Sequence, residues 1–167
     1  MPRRLRSERA ACCLVALLLP LSAAAQPSAA IASALGGLRW GMRLGDVQRK
    51  LKSELRAVAQ PPAFLRHELA SRSDEVWLRR EAMSQTFQVY RAGKLRMLYT
   101  LFEPLAFPEG NFAAFSASLQ RRFGPAKWHS SVEQGRWVEW QDRSTRVRAI
   151  DQTNTYGFYC LILQVRE

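Results

Sequence analysis

Glu139, Asp142 and Asp151 are the residues of this chain whose types and spacing come nearest to catalysis. They fall on or beside neighbouring strand candidates, and two carboxylates held a fixed distance apart can act as general acid and base. The arginines around them offer a competing use, as partners in ion pairs. The other reactive groups are few: His67, His129 and, in the body of the chain, Cys160. His67 beside Glu68 reads as a solvated, charged pair. Cys160 lies in the apolar run Phe158 to Val165, where a thiol behaves as a small hydrophobe. As a nucleophile Cys160 would need an activating partner, and neither His67 nor His129 has a motif context for that role. No G-x-S-x-G, S-x-x-K, H-E-x-x-H, C-x-x-C or glycine-rich phosphate loop occurs. Two histidines and one cysteine without clustered carboxylates compose no zinc site. The chain is expected to have no catalytic residue, metal or cofactor. An enzyme of unrecognised type, working through Asp151, Glu139 or His129, is kept as an alternative.

The first 25 residues give an address. Arg3, Arg4, Arg6 and Arg9 form a basic region, Ala11 to Leu21 an apolar run, and Ser22-Ala23-Ala24-Ala25 a small-residue cleavage pattern, so cleavage is predicted between Ala25 and Gln26. An apolar run broken by Pro20 falls short of the roughly 20 residues a spanning helix needs. Stable membrane insertion of the mature chain is therefore not expected. Cys12 and Cys13 stand at the start of the apolar run, not just after it, which argues against a lipid anchor. Leu5-Arg6-Ser7 after Arg3-Arg4 fits a twin-arginine signal poorly, leaving a cleavable Sec-type signal and a periplasmic or secreted protein.

Cleavage changes the composition. The full chain has 25 Lys+Arg against 14 Asp+Glu; losing four arginines and Glu8 leaves 21 against 13, a net charge of +8. Cys160 is then alone in an oxidising compartment, so no intramolecular disulfide can form. Seventeen of the 21 cations are arginine, the side chain suited to bidentate contact with phosphate or carboxylate. A GC-rich genome makes the same choice. Nucleic acid is not an expected partner at this address.

The elements that must position these groups follow from periodicity. Residues 26–35 are Ala/Ser-rich and read as a flexible leader, and 36–167 as a single α+β domain. Gly37 to Trp40 reads as a short strand and Gly41 to Gly45 as a turn. A helix follows from about Asp46 to Arg56, with Val47, Leu51 and Leu55 on one face. Pro61-Pro62 ends it, and Ala63 to Ala70 reads as a weak strand. Val76 and Leu78, Phe87 and Val89, and the alternation Leu95 to Leu101 mark three strands, the last two joined by a hairpin turn at Arg91 to Lys94. A second helix runs from Gly110 or Asn111 to Arg122, with Asn111 as N-cap and Gly124-Pro125 as stop. Lys127 to Val132, Trp137 to Gln141, Thr145 to Ile150 and Phe158 to Arg166 are strands. The expected fold is α+β: an antiparallel sheet with two helices on one face, built as two pseudo-repeats, each of one helix and three or four strands.

The run Trp40-Gly41-Met42-Arg43-Leu44-Gly45-Asp46-Val47, followed by Leu51, resembles the WGM-x-x-x-(D/E)-V…L opening of a helix in small exported bacterial proteins of unassigned function. It is similar to the corresponding helix start of SmpA/BamE-type outer-membrane assembly lipoproteins and of β-lactamase inhibitor protein-like domains. About a dozen residues carry the resemblance. The chain lacks the lipobox cysteine of the lipoproteins, and Phe123-Gly124-Pro125 departs from the helix exit of such domains by placing proline directly after glycine. The resemblance transfers no functional residue; it implies a domain that binds other envelope proteins.

If Val147 and Ala149 face the core, Arg146 and Arg148 share the opposite face of their strand. By the same phase Arg79 and Arg96 point outward, with Trp77 and Tyr90 nearby. Such a face would grip an anionic partner by charge-assisted hydrogen bonds and stacking. The alternative is a solvated face whose arginines pair with Glu139 and Glu81. The expected function is a non-enzymatic envelope protein-interaction or accessory module, using this face or the tryptophan-rich hairpin Trp128, Trp137 and Trp140. A binder of anionic glycan or lipid head groups is the alternative.

Overall fold

The structure, a computed structural model, describes residues 29–107, 110–131 and 135–166. The proposed signal peptide and residues 26–28 of the leader lie outside the described residues. No helix among the described residues is long and apolar enough to cross a membrane.

The chain is α+β; the described residues form five α-helices and one eight-stranded antiparallel sheet. The strands are β1 (Arg56–Ala57), β2 (Glu75–Arg80), β3 (Ser84–Arg91), β4 (Lys94–Phe102), β5 (Lys127–Ser131), β6 (Gly135–Gln141), β7 (Thr145–Gln152) and β8 (Phe158–Val165). Their order is β1-β2-β3-β4-β8-β7-β6-β5. The helices are α1 (Ala29–Ala34), α2 (Leu44–Leu51), α3 (Ala63–Arg66), α4 (Phe112–Phe123) and α5 (Thr153–Tyr156).

Alternation along the central strands divides the core into two layers. Leu98 of β4 and Tyr159, Leu161 and Leu163 of β8 join Ile31, Val47, Phe112, Phe115 and Leu119 in one layer. Met97 and Tyr99 of β4 and Cys160 and Ile162 of β8 join Phe64 and Leu65 of α3 in the other. α1, α2 and α4 contribute to one layer and α3 to the opposite one. The physical reason is that β8 is apolar at nearly every position, and a strand apolar in both phases must be covered on both faces.

Four local expectations also change. Residues 29–35 are not a loose leader, because Ile31 and Leu35, four apart, bury one side of α1 against the core. Gly37 to Trp40 is not a strand: Gly36, Gly37 and Gly41 adopt φ of 61°, 79° and 82° and curl the segment. It is nevertheless pinned to β4, since Gly41 N–H donates to Leu95 O and Leu95 N–H to Met42 O. α2 ends at Leu51 because Lys52 turns left-handed, and Leu55 reaches the core from non-helical chain. Ala63 to Ala70 begins as α3, whose first turn uses the Pro62 carbonyl as acceptor for Leu65 and Arg66 N–H.

The second helix matches its expected limits closely. Asn111 Oδ1 accepts the Ala114 N–H at 2.8 Å, and Gly124, at φ 86°, closes the other end. Substituting Asn111→Ala should lower stability by about 1 kcal/mol without altering the fold, read as a shift of the urea midpoint at constant slope.

Candidate anion-binding cleft

The arginines singled out by strand phase do not gather on one surface. Arg146 and Arg148 leave β7 on the side opposite the fully buried Val147 and Ala149, but both are engaged. Arg146 Nε lies 2.8 Å from Glu139 Oε2, and Arg148 Nη2 lies 2.5 Å from Glu68 Oε2. Arg79 is on the other side of the sheet, in phase with Trp77, and pairs with Glu81 at 3.1 Å. Trp77 packs against the helix-covered core layer. Tyr90 is inside that layer; its hydroxyl donates to Gln88 Oε1, and burial pushes the phenol pKa up. Because the Arg148 and Glu68 side chains keep only 13% and 20% of their exposure, removing one partner strands a largely desolvated charge. Glu68→Ala should cost about 2–3 kcal/mol in chemical denaturation.

The candidate catalytic groups have structural partners. Asp151 Oδ1 accepts from Thr153 N–H and Oγ1–H at the start of α5, while Arg136 stands 3.5 Å from its second oxygen. Asp142 Oδ1 accepts the Ser144 and Thr145 N–H groups and closes the β6–β7 turn. His129 stacks on Trp137, and His67 ends α3. Among the described residues, no group of three or more His, Cys, Asp and Glu side chains is placed to hold a metal ion.

Cys160 is fully buried, and loss of solvation pushes its thiol up to about 12. The unfolded chain gives up this proton first, so ionisation favours unfolding. The thiol's contribution is complete below the ordinary thiol range and is lost as pH rises toward 12. The urea midpoint should therefore fall between about pH 8 and about pH 10.5, and Cys160→Ala should flatten part of that slope. Tyr90 and Tyr99, also raised by burial, supply the remainder.

Arg96 stands apart from the other candidates. Val89 pairs with Met97 and Tyr90 with Leu95, so Arg96 is the extra residue of a β-bulge in β4. A bulge re-aims its side chain. Arg96 is half-buried, and its Nε is buried with no hydrogen-bond partner among the described residues. It lines a cleft of about 810 Å³ together with Arg39, Lys50, Lys94, Arg143 and Arg166.

Sheet register brings these cations together. Antiparallel pairing sets Met97 opposite Gln164 and Thr145 opposite Val165, so the start of β4, the end of β8 and the turn before β7 share one end of the sheet. Arg166 closes that end, with its N–H on Ser144 O and Nη1 on Asp142 O. Two bonds tie in the segment carrying Arg39: Gly41 to Leu95 as above, and Trp40 Nε1–H to Thr145 Oγ1 at 2.7 Å. Lys50 arrives from α2, its Cε so near Gly37 that a Cβ there would meet it at 3.1 Å.

Among the described residues no aspartate or glutamate lines the cleft, and no ion pair involves any of its six cations. No family model, curated protein or solved structure matches the chain. The functional reading therefore rests on these side chains. Of them, sequence phase had singled out Arg96 alone. The others come from a glycine-rich loop, a helix end, a hairpin, a tight turn and the residue just past β8, and no single periodicity links them. The available signal was a weaker one: Lys94 is a cation at a turn with no acidic residue near it in sequence.

Proposed function

We propose that this chain is an exported, non-enzymatic protein of the bacterial envelope that binds an anionic envelope component through the cationic cleft. One observation carries the reading: four arginines and two lysines from separate segments surround a single concavity with no lining carboxylate among the described residues. Like charges held this close repel one another, and a counter-anion relieves that repulsion. Guanidinium forks add directional hydrogen bonds to oxyanions. The basic region, apolar run and small-residue site of Met1 to Ala25 support export by a Sec-type signal. The strand order supports the pseudo-repeat: β1 to β4 and β5 to β8 each follow a helix of the same core layer and meet at β4 and β8.

A protein partner is the second reading, favoured by Trp128. This residue is 53% exposed on β5, an edge strand all of whose residues are exposed.

Chromatography on phosphocellulose tests the cleft. The Lys94→Ala, Arg143→Ala double variant should elute at clearly lower salt than wild type. A double variant of the same net charge outside the cleft, Arg72→Ala with Arg121→Ala, should shift much less. Equal shifts would sink the cleft as the binding site.

A further inference from the structure

We infer that the cleft selects a compact ligand carrying two linked phosphates, a diphosphate ester; the inference rests on the anion-binding reading above. Six cations border about 810 Å³, a volume in the range of small-molecule sites. A ligand that answers this much charge in so small a space must carry its own charge densely. One carboxylate engages a single guanidinium fork, whereas a diphosphate presents several oxygens to forks converging from different directions. The cations approach in that way: Lys94 and Arg96 from β4, Arg143 from the β6–β7 turn, Arg39 and Lys50 from the helix-bearing side. Arg96 Nε, buried and unpartnered among the described residues, is a donor for which an oxyanion provides an acceptor. Trp40 and Val165 also line the cleft, and the Trp40 ring is fixed by its bond to Thr145. This apolar flank suits a sugar or hydrocarbon bearing the diphosphate better than a bare ion.

Gly37 adds a constraint independent of charge. At φ 79°, with Lys50 Cε 3.1 Å from where a Cβ would sit, a side chain there strains the backbone and pushes the end of Lys50 by a few tenths of an ångström. Gly37→Ala should therefore weaken binding while leaving net charge unchanged.

Titration calorimetry of the full mature chain with inorganic pyrophosphate, inorganic phosphate and citrate tests the inference. Pyrophosphate should bind at least about tenfold tighter than either comparator, and both Lys94→Ala with Arg143→Ala and Gly37→Ala should lose about tenfold or more. Uridine diphosphate and phosphatidylcholine vesicles doped with farnesyl diphosphate then separate a soluble from a membrane-held source; binding to either supports the inference. Citrate binding as tightly as pyrophosphate overturns the diphosphate class and leaves the anion-binding cleft standing. If none of these anions binds at low salt, both fall. Affinity lost equally in the Arg72→Ala, Arg121→Ala variant removes the cleft as the site.

Discussion

The antiparallel pairing of β4 with β8 is the contact on which the rest of the molecule depends. β1 to β4 form one run of neighbouring strands and β5 to β8 another, and the sheet joins the two at this pair, from Met97 opposite Gln164 to Phe102 opposite Tyr159. A strand pair at the centre of an eight-stranded sheet has no edge to expose, and here it has no solvated face either. Tyr99 and Ile162 pack to one side, Leu98 and Leu163 to the other. A register slip of one residue would exchange the two layers, so the hydrophobic pattern fixes the alignment strongly.

That alignment also governs charge. Once Met97 lies opposite Gln164, residues just before Met97 and just after Gln164 must emerge at the same end of the sheet, and pairing of β7 with β8 brings the Asp142-Arg143-Ser144 turn to the same place. The carboxylates elsewhere are largely committed. Glu139, Glu68, Asp74 and Asp151 each lie against an arginine outside the cleft, whereas the six cations gathered where the strand ends meet have no ion pair among the described residues. Net charge alone would have pointed to a diffusely basic protein. The fold gathers six of the cations around one concavity.

What was legible in the sequence was what local chemistry fixes. Asn111, the Phe112-Phe115-Leu119 stripe and Gly124 mark α4, and Gly93 marks the hairpin turn, because caps and positive φ depend on neighbours in the chain. α1 was hidden by its alanines and serines, and α3 by an apolar spacing too short to separate a helical turn from a strand. The unbroken apolar run in β8 carried the information that both faces are covered, yet the surface reading of Arg146 and Arg148 assumed one open face. The Arg148–Glu68 pair joins residues far apart in sequence, and no alternation rule identifies such partners. The cleft was illegible for the same reason, since its cations become neighbours only through strand pairing.

The bulge at Arg96 can also be described as a slip of phase. Along β3 and β4 the side chains alternate between the two core layers like a wave of period two. Val89 and Met97 are in step with one layer, Tyr90 and Leu95 with the other. One residue must be absorbed where the phase changes, and it is a residue for which the ladder has no partner. A cation at that position meets no demand from packing or pairing, so the sheet can hold it firmly while leaving its chemistry to be chosen by whatever enters the cleft.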